Sequence, residues 1–201
     1  MIKLAINGFG RIGRIAFRQA ICDFSDQIDV VAINTSGSME PEGWKTLLKY
    51  DSTYRTFPKE VKVVEPQGAR ELGSFLIDGK TFPILAERDP LKLPWFVYQP
   101  DVVIESTGVF RKEEEVKKHL EAGAKKVIIS APPKGEGIPI FIMGVNENKY
   151  KGEKIISNGS CTTNCVAPIV KLVREKFGID QASLTTIHAY TSDQELIDGS
   201  H

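Results

Sequence analysis

Lys3-Leu4-Ala5-Ile6-Asn7-Gly8-Phe9-Gly10-Arg11-Ile12-Gly13-Arg14 decides the fold. Residues 3–7 form a short apolar strand that runs directly into three glycines spaced G-x-G-x-x-G, and Ile15, Ala16, Ala20 and Ile21 then recur at helical spacing. Between a strand and a helix each glycine has a mechanical task. One makes the tight turn, one lets backbone approach a pyrophosphate, and one lets the helix pack close to the strand. The helix N-terminus faces the anion. The competing reading is a glycine-rich turn with no ligand, which the flanking strand and helix disfavour. The unit predicts an α/β chain with a Rossmann-type, doubly wound, mostly parallel sheet.

The next strand, Val30-Val31-Ala32-Ile33, ends at Asn34, where such units usually place an Asp or Glu against the adenosine ribose. An amide can hydrogen-bond a hydroxyl but carries no charge to repel a 2'-phosphate, and Thr35, Ser36 and Ser38 crowd hydroxyls nearby, so NADP is at least tolerated. Equally, Asn34 reads as a turn residue before Gly37, with the ribose held elsewhere. A helix is expected over residues 41–50, with Trp44, Leu47 and Leu48 on one side as core. Residues 74–77 and 80–84 flank Asp78-Gly79 as an antiparallel hairpin with a two-residue turn, and Pro83 suggests a sheet edge. Arg88, in the loop beyond, is by itself a solvated charge.

Strand character returns at Val102-Val103-Ile104-Glu105 before Ser106-Thr107-Gly108, and again at residues 126–129 before Ser130-Ala131. Loops after the carboxyl ends of parallel strands line the ligand crevice, so both polar stretches are candidate cofactor walls; as helix or turn caps they read equally well. A helix from Arg111 to Ala122 stops at Gly123. Its run Glu113-Glu114-Glu115 with Lys117-Lys118 is a solvated face with internal pairs, and His119 is placed on that surface.

The chemistry concentrates in Ser160-Cys161-Thr162-Thr163-Asn164-Cys165. Val166, Ala167, Ile169, Val170, Leu172, Val173 and Phe177 follow at helical spacing, and Gly178 is placed to end the helix. Cys161 thus stands at a helix N-terminus, where the dipole and a nearby imidazolium stabilise thiolate, the attacking species. His188, at the end of an alternating strand over residues 185–190, is the imidazole within the chain's reach. Cys161 and Cys165 as half a zinc site would need two further ligands, and no second cysteine pair or close histidine pair supplies them. Cys165, beside Val166 and Ala167, reads as an inert buried residue, and His188 reads equally as a satisfied structural histidine.

Across 201 residues, 26 basic and 26 acidic side chains balance, so no global field argues for nucleic acid, a membrane surface or a polyanionic partner. The N-terminus is broken by Asn7 and Gly8 before an apolar run of signal-peptide length can develop. Three cysteines do not make a disulfide framework, and the expectation is a cytoplasmic protein with free thiols.

Residues 7–14, Lys49-Tyr50-Asp51-Ser52, Ser106-Thr107-Gly108, Ser157-Asn158-Gly159 with the Ser-Cys-Thr-Thr-Asn-Cys segment, and His188-Ala189-Tyr190-Thr191 together closely resemble phosphorylating glyceraldehyde-3-phosphate dehydrogenase. The resemblance runs from end to end of the 201 residues. It implies that Cys161 adds to an aldehyde as nucleophile and His188 acts as base. Hydride then goes to the nicotinamide, and inorganic phosphate releases the thioester as an acyl phosphate. It assigns NAD(P) contacts to Gly8, Gly10, Arg11, Ile12, Gly13, Asn34, Arg88, Thr107 and Ser130, and substrate or phosphate contacts to Ser160, Thr162 and Thr191. It implies a small phosphorylated aldehyde and inorganic phosphate as substrates, no metal, a role in glycolysis or gluconeogenesis, and a homotetramer.

Two departures bear on the transfer. NAD-preferring members carry Asp where this chain has Asn34, so NADP is tolerated or preferred. Members also continue well past residue 201, so residues 1–160 are expected to form the NAD(P)-binding domain and residues 161–201 the start of an α+β catalytic domain. By itself the 201-residue chain is expected to be inactive or nearly so. Erythrose-4-phosphate dehydrogenase shares the Cys and His machinery and stays open as an alternative, as does a non-catalytic nucleotide-binding module.

Overall fold

In a computed structural model, which describes residues 1–68 and 70–191, the strands are β1 (Ile2–Asn7), β2 (Ile28–Asn34), β3 (Lys62–Val64), β4 (Glu71–Ile77), β5 (Lys80–Leu85), β6 (Val102–Glu105), β7 (Lys126–Ile129) and β8 (Ile155–Ser157). The helices are α1 (Arg11–Cys22), α2 (Pro41–Lys49), α3 (Trp95–Tyr98), α4 (Glu113–Glu121) and α5 (Cys161–Phe177). The strands form one sheet in the order β3-β4-β5-β2-β1-β6-β7-β8, parallel from β5 to β8 and antiparallel at β3-β4-β5. This is the expected α/β Rossmann-type sheet. Chain order reverses at β1, with β2 on one side and β6 on the other, the point beyond whose strand ends sheets of this kind bind their ligands.

Period-2 alternation explains why apolar runs became strands buried on both faces. In β1, Leu4 and Ile6 join one core with Phe9, Phe17, Trp44, Phe75 and Phe82, while Ala5 joins the other with Val103, Trp95, Val116 and Val127. The first core is aromatic: Phe17 meets Phe82 edge-on at 5.1 Å and Phe9 at 5.8 Å. Such pairs add about 0.5–1.5 kcal/mol each beyond area burial. α1 presents Phe17, Ala20 and Ile21 to this core, whereas Ile15 and Ala16 of the expected stripe are only half-buried.

The hairpin forms as expected, Asp78 and Gly79 both having the positive φ of its turn (49° and 79°). Pro83, however, does not mark an edge. β5 lies inside the sheet, and Pro83 is accommodated because β5 pairs with β2 only through Ile84 and Leu85, beyond it. α2 buries Trp44 and Leu48 as expected. α4 begins at Glu113 rather than Arg111, and a Glu113–Lys117 pair at 2.7 Å lies along its outer side.

His119 corrects the surface expectation for that helix. It is fully buried, because Val116 and His119 share the inward side of α4. Cys165 is likewise corrected: it is exposed, since none of the residues of α5 is buried and no described element covers that helix. Residues 185–190 form no strand, having no strand partner among the described residues. Residues 192–201 of the expected catalytic-domain start lie outside the described residues.

Candidate active site

The glycine turn is built by close approach. Gly8 has φ +96°, and a Cβ there would stand 2.6 Å from Thr107 N; one on Gly13 would stand 2.0 Å from the Gly8 carbonyl oxygen. Only hydrogen fits at either position. A Cβ on Gly10 would meet nothing within 4 Å, so the space beside it is open. Gly10 is also the N-cap of α1, with no side-chain cap and no acidic residue in the first turn. That combination fits a pyrophosphate, whose charge complements the helix N-terminus. Ile12 is exposed, and the Arg11 guanidinium lies 5.9 Å from the Tyr190 ring centroid.

Because β2, β1, β6, β7 and β8 run parallel, the residues that follow them emerge along one sheet edge. The register pairs Asn7 with both Asn34 and Glu105. Sequence reasoning missed what links them. Asn34 Nδ2 donates to Asn7 Oδ1 (2.6 Å), Asn7 Nδ2 donates to Glu105 Oε2 (2.5 Å), and His119 Nε2 lies 3.0 Å from that same oxygen. Trp95 Nε1 donates to His119 Nδ1 (3.0 Å). Glu105 Oε1 accepts from Thr107 N (2.8 Å) and from the Thr107 hydroxyl. Each polar group in this buried row is satisfied by the next, as burial requires. The available signals were Glu105 closing an apolar strand and His119 three residues after Val116 on one helix side.

Thr107 and Ser130 follow β6 and β7, and Ser130 N donates to the Glu105 carbonyl (3.0 Å). Arg88 is exposed in the loop after β5. The structure thus gathers the glycine turn, Asn34, Thr107 and Ser130 along one edge.

Cys161 is positioned by the loop after β8. Ser157 Oγ donates to the Ala131 carbonyl (2.8 Å), and Asn164 Nδ2 donates to the carbonyls of Asn158 (2.7 Å) and Ser160 (2.9 Å). Ser160 caps α5, its Oγ accepting from Thr163 N (3.0 Å), which leaves Cys161 as the first helical residue. Its Sγ lies 3.0 Å from His188 Nε2.

Ala189's carbonyl contacts His188 Nδ1 at 2.5 Å, and a carbonyl only accepts, so the proton sits on Nδ1 and Nε2 is left to exchange one with sulfur. The Cys161 thiol is held below its ordinary range, chiefly by the His188 hydrogen bond and further by the Thr162 backbone and side chain. His188 is raised above its ordinary value, first by the Ala189 carbonyl and then by Cys161. Cys22 moves the other way: burial pushes its thiol up. Thr191 is half-buried beyond Tyr190. A lowered thiol beside an imidazole nitrogen that can take its proton is an arrangement capable of nucleophilic chemistry.

Residues 2–113 match the family described as glyceraldehyde 3-phosphate dehydrogenase, NAD binding domain, and residues 160–201 match its C-terminal domain. The chain belongs to the glyceraldehyde-3-phosphate dehydrogenase family. It is 50% identical over 202 residues to glyceraldehyde-3-phosphate dehydrogenase 2 of Bacillus subtilis (strain 168), covering 100% of this chain and 56% of the relative. It is 50% identical over 201 residues to the chloroplastic A form of Chlamydomonas reinhardtii, covering 100% and 52%. With the cytosolic form of Leishmania mexicana it shares 45% over 199 residues, covering 99% and 56%. The chain therefore spans about half the length of the curated relatives it matches. Among the described residues no helix is long and apolar enough to cross a membrane.

Proposed function

We propose that the protein to which this chain contributes oxidises glyceraldehyde 3-phosphate, with inorganic phosphate and NAD(P), to 1,3-bisphosphoglycerate. The single observation that carries the reading is the 3.0 Å contact of Cys161 Sγ with His188 Nε2 at a helix start. The thiolate of Cys161 attacks the aldehyde carbon, forming a hemithioacetal. His188 Nε2 takes the sulfur proton, gives it to the oxygen as the hemithioacetal forms, and accepts it back as the carbonyl re-forms. Bound in the crevice, NAD(P) supplies the acceptor for the hydride that leaves that carbon. The thioester on Cys161 is then attacked by phosphate, the new C–O bond forming as the C–S bond breaks and thiolate leaves. Ser160, Thr162 and Thr191 are the hydroxyls proposed to hold the substrate or inorganic phosphate.

Gly8, Gly10, Arg11, Ile12, Gly13, Asn34, Arg88, Thr107 and Ser130 are proposed to hold NAD(P). A neutral residue at position 34 removes the repulsion a carboxylate would exert on a 2'-phosphate, so NADP is tolerated. The nucleotide-binding part is placed at residues 1–160 and the start of the catalytic part at 161–201. A homotetramer in the cytoplasm, acting on no nucleic acid or membrane, completes the reading. Initial rates with glyceraldehyde 3-phosphate and with erythrose 4-phosphate, with and without phosphate and with each cofactor, test it. Phosphate-dependent reduction that is faster with the triose supports it; no reduction with either aldehyde overturns it.

A further inference from the structure

Between the sheet and α5 the backbone passes through a swivel. On the sheet side, Ser157 N donates to the Pro139 carbonyl (2.9 Å) and Asn158 N to the Ile129 carbonyl (3.0 Å), while the Ser157 hydroxyl donates to the Ala131 carbonyl. Backbone as far as residue 158 therefore moves with the sheet. On the helix side, the Ser160 cap binds residue 160 to the first turn of α5, and Cys161 with it. Gly159 lies between them at φ +71°, a conformation that glycine adopts without steric cost. Its N–H is held by Ser157 Oγ (2.9 Å), which fixes the peptide before its Cα and leaves rotation about the two bonds of that Cα.

Asn164 reaches across the swivel. Its Nδ2 donates to the Asn158 carbonyl on the sheet side (2.7 Å) and to the Ser160 carbonyl on the helix side (2.9 Å). Both partners only accept, so the nitrogen end of the amide faces them and both of its hydrogens are used. The Ser160 carbonyl already receives the Asn164 backbone N–H (2.9 Å). Asn164 is itself exposed, so water is at hand for the same groups. Bonds made in reach of water add little stability; what they supply here is an orientation.

That orientation has few other supports. No residue of α5 is buried. Lys171 Nζ holds the Gly144 carbonyl (2.8 Å), but it does so seven residues on from Asn164, about 10 Å along the helix. A helix pinned there pivots most at its start, which is where Cys161 stands. His188 meets Sγ from a stretch that has no strand partner among the described residues, so it does not anchor the helix from the far side.

We infer that Asn164 is a positioning residue for the Cys161 thiol: by bridging the Asn158 and Ser160 carbonyls it locks the Gly159 swivel and keeps Sγ in reach of His188 Nε2. The inference rests on the proposed role of Cys161 and adds to it how the sulfur is aimed. Asn164 acts through the backbone of residues 158–160 and takes no part in the chemistry.

Timed iodoacetamide labelling of the 201-residue chain, resolved by site and followed against pH, tests this with Asn164→Ala and with Asn164→Leu, which keeps the bulk of the side chain without its N–H groups. In both variants Cys161 is expected to label about three- to tenfold more slowly near neutral pH, the worth of one hydrogen bond, with its profile moved to higher pH. Cys165, exposed one turn along the same helix, is expected to label at an unchanged rate. An unmoved Cys161 profile in both variants overturns the inference. So does a shift in Asn164→Ala that Asn164→Leu lacks, which assigns the effect to bulk. Faster labelling of Cys161, Cys165 and Cys22 together also overturns it, since Asn164 then serves overall stability. If Cys161 of the unsubstituted chain reacts no faster than Cys165, the reading of an activated thiol fails, and the inference with it. Neither aldehyde nor cofactor enters the measurement, so these failures are distinguishable.

Discussion

Cys161 Sγ and His188 Nε2 stand 3.0 Å apart although 27 residues separate them in the chain, and each moves the other toward its charged form. The helix N-terminus under the sulfur acts in the same direction as the imidazole. Both groups are exposed, so the pair is a device for reactivity rather than for stability.

Iodoacetamide is therefore expected to alkylate Cys161 first at neutral pH and Cys22 last, because one thiol is lowered and the other raised. The labelling rate of Cys161 should rise with pH and level off below the range of an ordinary thiol. Replacing His188 by Gln removes the largest cause of the lowering, so the profile should move to higher pH. Site-resolved mass spectrometry of timed labelling reads this; an unmoved profile in His188→Gln would show the helix alone activates the thiol.

Cys161→Ser is expected to abolish acyl-enzyme formation while leaving cofactor affinity within about twofold, since the thiol is the proposed nucleophile and stands apart from the glycine turn proposed to hold the cofactor. His188→Ala should keep the thioester route but slow it by about 10²–10⁴-fold, the usual worth of a general base. Burst-phase reduction of cofactor and trapping of the acyl-enzyme measure both. A serine variant that still oxidises aldehyde removes Cys161 from its role.

The three glycines should separate by phenotype. Gly13→Ala puts a methyl 2.0 Å from the Gly8 carbonyl oxygen, and overpacking of that kind costs about 1–3 kcal/mol or more. Gly10→Ala meets nothing within 4 Å and should leave the unfolding midpoint nearly unchanged, yet lower cofactor affinity about tenfold or more by filling the space above the helix N-terminus. Denaturant unfolding together with cofactor titration distinguishes them, and equal affinity in Gly10→Ala would contradict the cradle.

Phe17→Ala should destabilise the nucleotide-binding half by about 3–5 kcal/mol. Phe17 is fully buried between Phe9 and Phe82, so its removal leaves a cavity that joins α1 to the hairpin. Urea unfolding measures the loss; a change under about 1 kcal/mol would mean the aromatic core collapses to fill the gap.

Much of this was legible in one dimension. The glycine spacing, the apolar strands and the Asp78-Gly79 turn are local: each follows from which backbone conformations and which side-chain periods a short segment tolerates. Ser160 as a cap and Cys161 at a helix start are local too, so the thiol's place could be read from its neighbours. His119 and Pro83 were misjudged for one reason. Whether a helix side faces solvent, and whether a strand is outermost, depends on elements far along the chain. α4's inward side was settled by Trp95 and Glu105, and β5's place by pairing with β2.

By itself, then, the sequence determined the fold class, the glycine turn and the cap that sets Cys161 at a helix start, because short-range sterics and spacing suffice for them; that His188, 27 residues on, meets the thiol was decided by the fold. The tertiary structure alone decided that Asn34, Asn7, Glu105, His119 and Trp95 meet in one buried row. Five residues spread over 113 positions become neighbours only when parallel strands align their ends, and burial then obliges each polar group to find its partner in the next.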